Sequence, residues 1–279
     1  VGTTTPTPQE RARAVFDLVA QGYDRAALRF FPFAADQLVF SLKPAPGTKV
    51  LDVACGTGAA TLAAAQAVGK TGRVFAVDVS EGMLKRLEEK AAKFGLSHVD
   101  IHAMDGAALD FRHNYFDVTL SSFGIFFMPE MPAALKEWTR VTKPGGKIGF
   151  TTFGPSAFQP MADLFLKRIE SFGVTFESGD PRTATDRLKD AAACQTLMQS
   201  AGLVDVRVIE KQLGYHLKDE REWWEVVWNA GFRGYLEHLA PGERDRFEHE
   251  HLQEVAALKS ENGLWLDVAV YFATGTKAV

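Results

Sequence analysis

Val50-Leu51-Asp52-Val53-Ala54 runs directly into Cys55-Gly56-Thr57-Gly58, and this stretch decides the fold. The first five residues are apolar except for Asp52, as expected of a short strand buried on both faces. Residues 59–68, rich in Ala and Leu, favour a helix. Glycines between strand and helix let the backbone turn sharply and approach a ligand with no Cβ in the way. The free N–H groups of the helix start then face the bound group. Downstream, Arg73-Val74-Phe75-Ala76-Val77-Asp78 is a second apolar run ending in an acid. An acid at the tip of the second strand of a βαβ unit is placed to accept both ribose hydroxyls of an adenosine. A nicotinamide dehydrogenase uses a related turn. Here, however, Thr61 stands where the third glycine of G-x-G-x-x-G belongs, and no Tyr-x-x-x-Lys pair occurs.

Further segments join these two in a fixed order: Met104-Asp105-Gly106-Ala107, Phe116-Asp117-Val118 leading into Ser122-Phe123-Gly124, and Lys143-Pro144-Gly145-Gly146-Lys147. With 52–58, Asp78 and the upstream Tyr23-Asp24 pair, they resemble class I S-adenosylmethionine-dependent methyltransferases, in particular the ubiquinone/menaquinone-type small-molecule branch. The resemblance spans about residues 16–152. It implies an α/β fold with a Rossmann-like, doubly wound, seven-stranded sheet whose last strand is antiparallel. N-terminal cap helices and a helical insertion before the last strand complete it.

S-adenosylmethionine is the implied cofactor, S-adenosylhomocysteine its product. The implied contacts are Gly56, Thr57 and Gly58 in the turn, Asp78 at the ribose, and Met83 against the adenine. Asp105 and Gly106 are placed at the adenine edge, and Ser122 at the methionine portion. Asp52 either orders the glycine loop or meets the cofactor's ammonium end through water. Tyr23 either caps the cofactor or is an amphipathic core residue. Base-modifying amino-methyltransferases carry an Asn/Asp-Pro-Pro-aromatic signature after the fourth strand. Residues 121–129 read Ser-Ser-Phe-Gly-Ile-Phe-Phe-Met-Pro instead.

The resemblance implies cap helices over 1–43 and a methyltransferase domain over 44–279, within which the aromatic-rich segment 214–263 reads as a lid insertion. Residues 1–8, rich in Thr and Pro, read as a disordered start; 9–30 and 31–42 read as helices. Strands are expected at 99–104, 116–122, 147–152, 204–213 and 264–274, and helices at 80–94, 132–141, 153–172 and 191–201. A polar loop is expected at 177–187. Phe123 and Phe127, with Trp224 and Trp228 in the insertion, are candidate walls for an apolar acceptor, although aromatics at helical spacing also serve as core. His113 and His216 are the histidines nearest the expected mouth; a lone loop histidine is usually solvated, so neither is assigned catalysis. Residues 242–259, with His249 and His251, read as a solvated helix face.

The 279 residues are 46% hydrophobic and 24% charged, the balance of a globular protein. A net charge of -4 gives no electrostatic footprint for nucleic acid. No apolar run is long enough to span a bilayer, and no signal-peptide layout opens the chain. Cys55 and Cys194 are its two cysteines, which suits a reducing cytoplasm. No metal cluster is visible. The expected function is methyl transfer to a small, partly apolar acceptor of quinone-precursor or secondary-metabolite type, in the cytoplasm. The rivals are an NAD-dependent oxidoreductase and a non-catalytic S-adenosylmethionine-binding regulator. Oligomeric state stays open.

Overall fold

Thr7 starts the first helix. Its hydroxyl accepts from the Glu10 N–H (3.2 Å), the Glu10 carboxylate accepts from the Thr7 N–H (2.7 Å), and Pro8 takes the first helical position. The computed structural model describes residues 6–175, 186–188 and 190–279, so the start of the Thr/Pro-rich segment and most of the expected polar loop lie outside it. Helix α1 (Pro8–Val19) stops well before residue 30. Gly22 breaks it: its N–H donates to the Val19 carbonyl and its own carbonyl accepts from Arg25, turning the chain before α2 (Phe30–Leu42). Pro32 falls in the first turn of α2, where its missing N–H costs nothing.

Strands and helices then alternate through β1 (Lys49–Val53), α3 (Ala59–Val68), β2 (Arg73–Asp78), α4 (Glu81–Lys93), β3 (Val99–Ala103), β4 (Phe116–Ser122), α5 (Met131–Val141) and β5 (Thr142–Phe153). The remainder holds α6 (Met161–Ser171), α7 (Ala191–Ser200), β6 (Leu203–Gln212), β7 (Tyr215–Leu217), α8 (Glu220–Asn229), α9 (Arg233–Leu236), α10 (Pro241–Ala256), β8 (Leu264–Leu266) and β9 (Ala269–Lys277). A seven-stranded sheet runs β3-β2-β1-β4-β5-β9-β6. Its first five members are parallel neighbours, and β9 is antiparallel to both β5 and β6. Helices cover both faces, so Val50, Leu51, Val53 and Leu120 are fully buried. The strand order reverses at β1, and the crevice between the carboxyl ends of β1 and β4 is where ligands of such sheets bind.

Three further boundaries differ from the sequence reading. The fifth strand begins at Thr142, not 147. Thr142 pairs with Phe116 and Lys147 with Val118, so residues 143–146 bulge out of a continuous strand with Gly145 at φ 75°. The sixth helix starts only at Met161. The expected last strand is two: β8 pairs with β7 in a separate ribbon, and the main sheet resumes at β9. Asp267 makes the break, because its carboxylate accepts from Ala269 N–H, Ser156 and Gln212.

The β7–β8 ribbon closes the base of the insertion. Within it, the charged helix α10 is not simply a solvated face. His251 is fully buried, its Nε2 accepts from Trp223 Nε1 (2.8 Å), and Phe165 and Phe247 pack against its ring. Arg168 of α6 binds Glu250 (2.7 Å) and Glu254, fastening α10 to the sheet domain. Among the described residues no helix is long and apolar enough to cross a membrane, and no group of three or more His, Cys, Asp or Glu could hold a metal ion.

Candidate functional site

The chain leaves β1 in an unusual conformation. Ala54, Gly56 and Gly58 all have positive φ (54°, 55° and 89°), and the Gly58 N–H closes the turn on the Cys55 carbonyl. The two glycines do different work. A Cβ on Gly56 would meet nothing within 4 Å, whereas one on Gly58 would lie 2.2 Å from Leu87 Cδ1. Gly56 therefore lines open space, while Gly58 lets α4 pack against the loop. Gly58 does not line the cavity that the other expected contacts share.

That cavity, about 540 Å³, opens at the carboxyl ends of β1, β2 and β4, in the size range of small-molecule sites. It brings together Tyr23, Asp52, Gly56, Thr57, Asp78 and Met83, and also Asp105, Gly106, Ser122, Phe123 and Phe127. Asp78 is the hinge of the arrangement. One of its oxygens accepts from the Gly56 N–H (2.8 Å) and the other from the Ser80 N–H (2.9 Å), joining the glycine loop to the start of α4. A carboxylate has acceptor capacity beyond these two bonds. Burial raises its pKa despite these bonds.

Asp52 lies deeper. Thr61, the residue in place of a third glycine, donates to its Oδ2 (2.6 Å), and Oδ1 has no hydrogen-bond partner. Burial first, and the Asp78 charge beside it, push Asp52 up to about 7. A buried carboxyl oxygen without a partner in a cavity wall is open to a hydrogen-bond donor on a ligand.

Asp105, also in the wall, accepts from Ala107 N–H (2.9 Å) and from Gln9 Nε2 (3.0 Å), so it both shapes a turn and meets α1. Gly106 is wedged between Val53 and Met128, and its carbonyl accepts from Trp138. Ser80 caps α4 by accepting from Met83 N–H (3.1 Å), which seats the buried Met83 in the wall. Ser122 sits beside Thr151 (3.4 Å) at the end of β4, and Thr151 accepts from Phe123 N–H (3.0 Å). That bond holds Phe123 at φ 59°, with its ring stacked on Phe153 and edge-on to Phe30 and Phe31.

Contacts from α1 and the turn after it hold the roof. Asp17 of α1 accepts from Ser80 Oγ (2.6 Å) and Gly82 N–H (3.0 Å), binding the first helix to α4. Asp24 accepts from Thr57 Oγ1 (2.7 Å) and pairs with Lys90 (2.8 Å), clamping the loop from above. Tyr23 beside it stacks on Phe31 (4.6 Å), and burial, with the charges of Asp78 and Asp24, raises its phenol pKa. Tyr23 is thus packed against Phe31 and also lines the cavity. Phe31 and Arg29 also line it, and neither stood out in the sequence.

The remaining candidates lie elsewhere. Trp224 and Trp228 line a separate depression against residues 18–25, where Arg233 stacks on Trp228 at 3.4 Å. Successive residues of α8 point in different directions, and it is Trp223 that turns inward. His113 is exposed before β4, at the amino end of the parallel strands, whereas the cavity lies at their carboxyl ends. His216 is exposed on β7 with its ring against Trp265, and does not line the cavity.

Comparison with known proteins fits this geometry. Residues 5–172 match the ubiE/COQ5 methyltransferase family. Nocamycin O-methyltransferase of Saccharothrix syringae is 28% identical over 272 residues, covering 94% of this chain and 96% of its own. Demethylmenaquinone methyltransferase of Anoxybacillus flavithermus (strain DSM 21510 / WK1) is 33% identical over 219 residues, 72% of this chain and 90% of its own. The crystal structure of a putative methyltransferase from Bacillus halodurans C-125 shares the fold, with a TM-score of 0.57 at 18% identity over 88% of this chain and 99% of its own.

Proposed function

This chain belongs to the ubiE/COQ5 methyltransferase family and is an S-adenosylmethionine-dependent methyltransferase, and from that premise we propose that it methylates a small, partly apolar organic molecule of the quinone-precursor or secondary-metabolite kind. One observation carries the reading. The cavity wall combines a polar surface, built on Asp78, Asp105 and the glycine loop, with an aromatic one formed by Phe31, Phe123 and Phe127. A nucleoside suits the first and an apolar acceptor the second. The relatives' names, a nocamycin O-methyltransferase and a demethylmenaquinone methyltransferase, support an acceptor of this size and character.

In this reading Asp78 accepts the ribose hydroxyls, and Met83, Asp105 and Gly106 surround the adenine. Gly56, Thr57 and Ser122 border the methionine portion, Asp52 faces its ammonium end, and Tyr23 closes over it. Gly58 acts indirectly, by letting α4 support the loop. S-adenosylmethionine bound there supplies an electrophilic methyl group for in-line displacement. The chain's own residues align the reactants and exclude water, and proximity of this kind contributes several kcal/mol. Neither His113 nor His216 is assigned a part. Residues 1–43 serve as a cap and 214–263 as a lid whose inward aromatic is Trp223. We place the reaction in the cytoplasm, consistent with two free, buried cysteines. Nucleic acid is not an acceptor, in keeping with the net charge of -4.

The test is transfer of a labelled methyl group from S-adenosylmethionine to a panel of phenols, quinols and organic acids, with transfer RNA and a peptide mixture as comparison. Label is expected on one or more small molecules. Label found on RNA or peptide alone would refute the acceptor class.

A further inference from the structure

Among the described residues the cavity wall carries four cations. Arg13 pairs with Asp17 (3.7 Å) and Glu81 (3.4 Å), Arg25 with Glu225 (3.4 Å), and Lys90 with Asp24 (2.8 Å). Arg29 differs: no carboxylate of the described residues pairs with it. It is half-buried at the turn into α2, and what holds it is neutral. The guanidinium lies 3.6 Å from the centre of the Tyr215 ring. It donates to the carbonyls of Ala26 (3.1 Å) and His216 (3.2 Å). Tyr215 is itself tied down, donating to the Ala27 carbonyl at 2.7 Å. Asp36, the acid further along the same helix in the cavity wall, is two turns away and does not pair with it.

A guanidinium has five N–H donors, and carbonyl partners orient it without neutralising its charge. Half-buried, oriented by these contacts and unneutralised, it presents a planar fork that matches a carboxylate in two parallel hydrogen bonds. We propose that Arg29 holds a carboxylate of the bound reactants, either the α-carboxylate at the amino-acid end of the donor or an acid group on the acceptor. The proposal rests on the methyltransferase reading above and adds to it a specific anchor. It also joins the cap to the lid, since the carbonyl and ring that aim Arg29 belong to β7.

Calorimetry on the whole chain separates the two sources. The variants are Arg29→Gln and Arg29→Lys, each checked for an unchanged thermal midpoint. The donor probes are S-adenosylhomocysteine and 5′-methylthioadenosine, which lacks the amino-acid end. The acceptor probes are 2-naphthoate and its neutral amide, titrated into protein saturated with S-adenosylhomocysteine. If the donor supplies the carboxylate, Arg29→Gln weakens S-adenosylhomocysteine by about tenfold or more and leaves methylthioadenosine unchanged. If the acceptor supplies it, S-adenosylhomocysteine is unaffected while naphthoate binding is lost and the amide is untouched. In either case Arg29→Lys, which keeps the charge without the fork, falls between. Unchanged S-adenosylhomocysteine affinity without a selective loss of naphthoate overturns the proposal, as does an equal loss for all four probes. Wild-type protein that binds neither nucleoside is a different result, which removes the methyltransferase site itself.

Discussion

Replacing each glycine of the loop by alanine should give opposite phenotypes. At Gly58, φ is 89° and a new Cβ would sit 2.2 Å from Leu87 Cδ1 and 3.1 Å from its Cγ. Left-handed backbone costs an L-residue about 1–2 kcal/mol. Leu87 is fully buried and cannot swing into solvent, so overpacking adds about 1–3 kcal/mol. Gly58→Ala should therefore lose about 2–5 kcal/mol of stability, a fall of roughly 4–20 °C in thermal midpoint for a chain of this size. At Gly56 the φ of 55° carries the same conformational cost, but nothing stands within 4 Å of the added methyl. Gly56→Ala should lose only about 1–2 kcal/mol of stability. Its methyl group, however, enters the space assigned to the nucleoside, so S-adenosylhomocysteine should bind at least about tenfold more weakly. Thermal melts of the two apo variants, followed by calorimetry, make the comparison. If Gly56→Ala binds normally, or Gly58→Ala melts with the wild type, the division of labour is wrong.

Other outcomes follow from the same contacts. Gly22 allows α8 to approach the turn after α1, since a Cβ there would lie 1.7 Å from Asn229 Oδ1. Gly22→Ala should separate cap from lid and cost about 1–3 kcal/mol in a melt, with weaker donor binding because Tyr23 and Asp24 follow at once. Asp52, pushed up to about 7 by burial, is largely protonated in the free protein at pH 6. A cationic donor favours its ionised form, so S-adenosylmethionine affinity should rise from pH 6 to pH 8, and Asp52→Asn should flatten that rise. His251 is shifted the other way, with a like dependence on pH. Burial lowers it to about 4 against 6.5 in the unfolded chain, so unfolded chains take up the proton first. Its contribution is complete above pH 6.5 and is lost as pH falls toward 4, where the Glu254 and Arg168 charges face it. His251→Gln should remove the part of the acid destabilisation seen in urea titrations between those values.

Much of the fold was legible because its signals are local. Residues 50–58 and 73–78, the Ser80 cap and the apolar run of β4 each announce an element through neighbours in sequence, and all stand where expected. The break at Gly22 and the split at Asp267 were not legible. Both depend on partners distant in the chain, Asn229 for one and Ser156 and Gln212 for the other. The same distinction holds in the cavity. Asp78, the glycines and the Tyr23-Asp24 pair carry a pattern, whereas Asp17 becomes structural only when α1 folds over α4 and meets Ser80. Helical spacing identified the aromatic stripe of α8 but not which side meets the core, so Trp223 is buried while Trp224 and Trp228 border another depression. His251 misled for a related reason: the charges around it describe the helix, and one inward position escapes that average.

The central claim is that the ribose of an S-adenosyl nucleoside rests on Asp78, whose carboxylate also fixes the Gly56 and Ser80 N–H groups. Calorimetric titration of S-adenosylhomocysteine into the wild type and Asp78→Asn measures it directly. The account predicts tight binding to the wild type and a loss of about 1.5–3 kcal/mol in the variant, the scale of hydrogen bonds to a charged group. Equal affinity for the two proteins, or a wild type that binds NAD in preference, would contradict it.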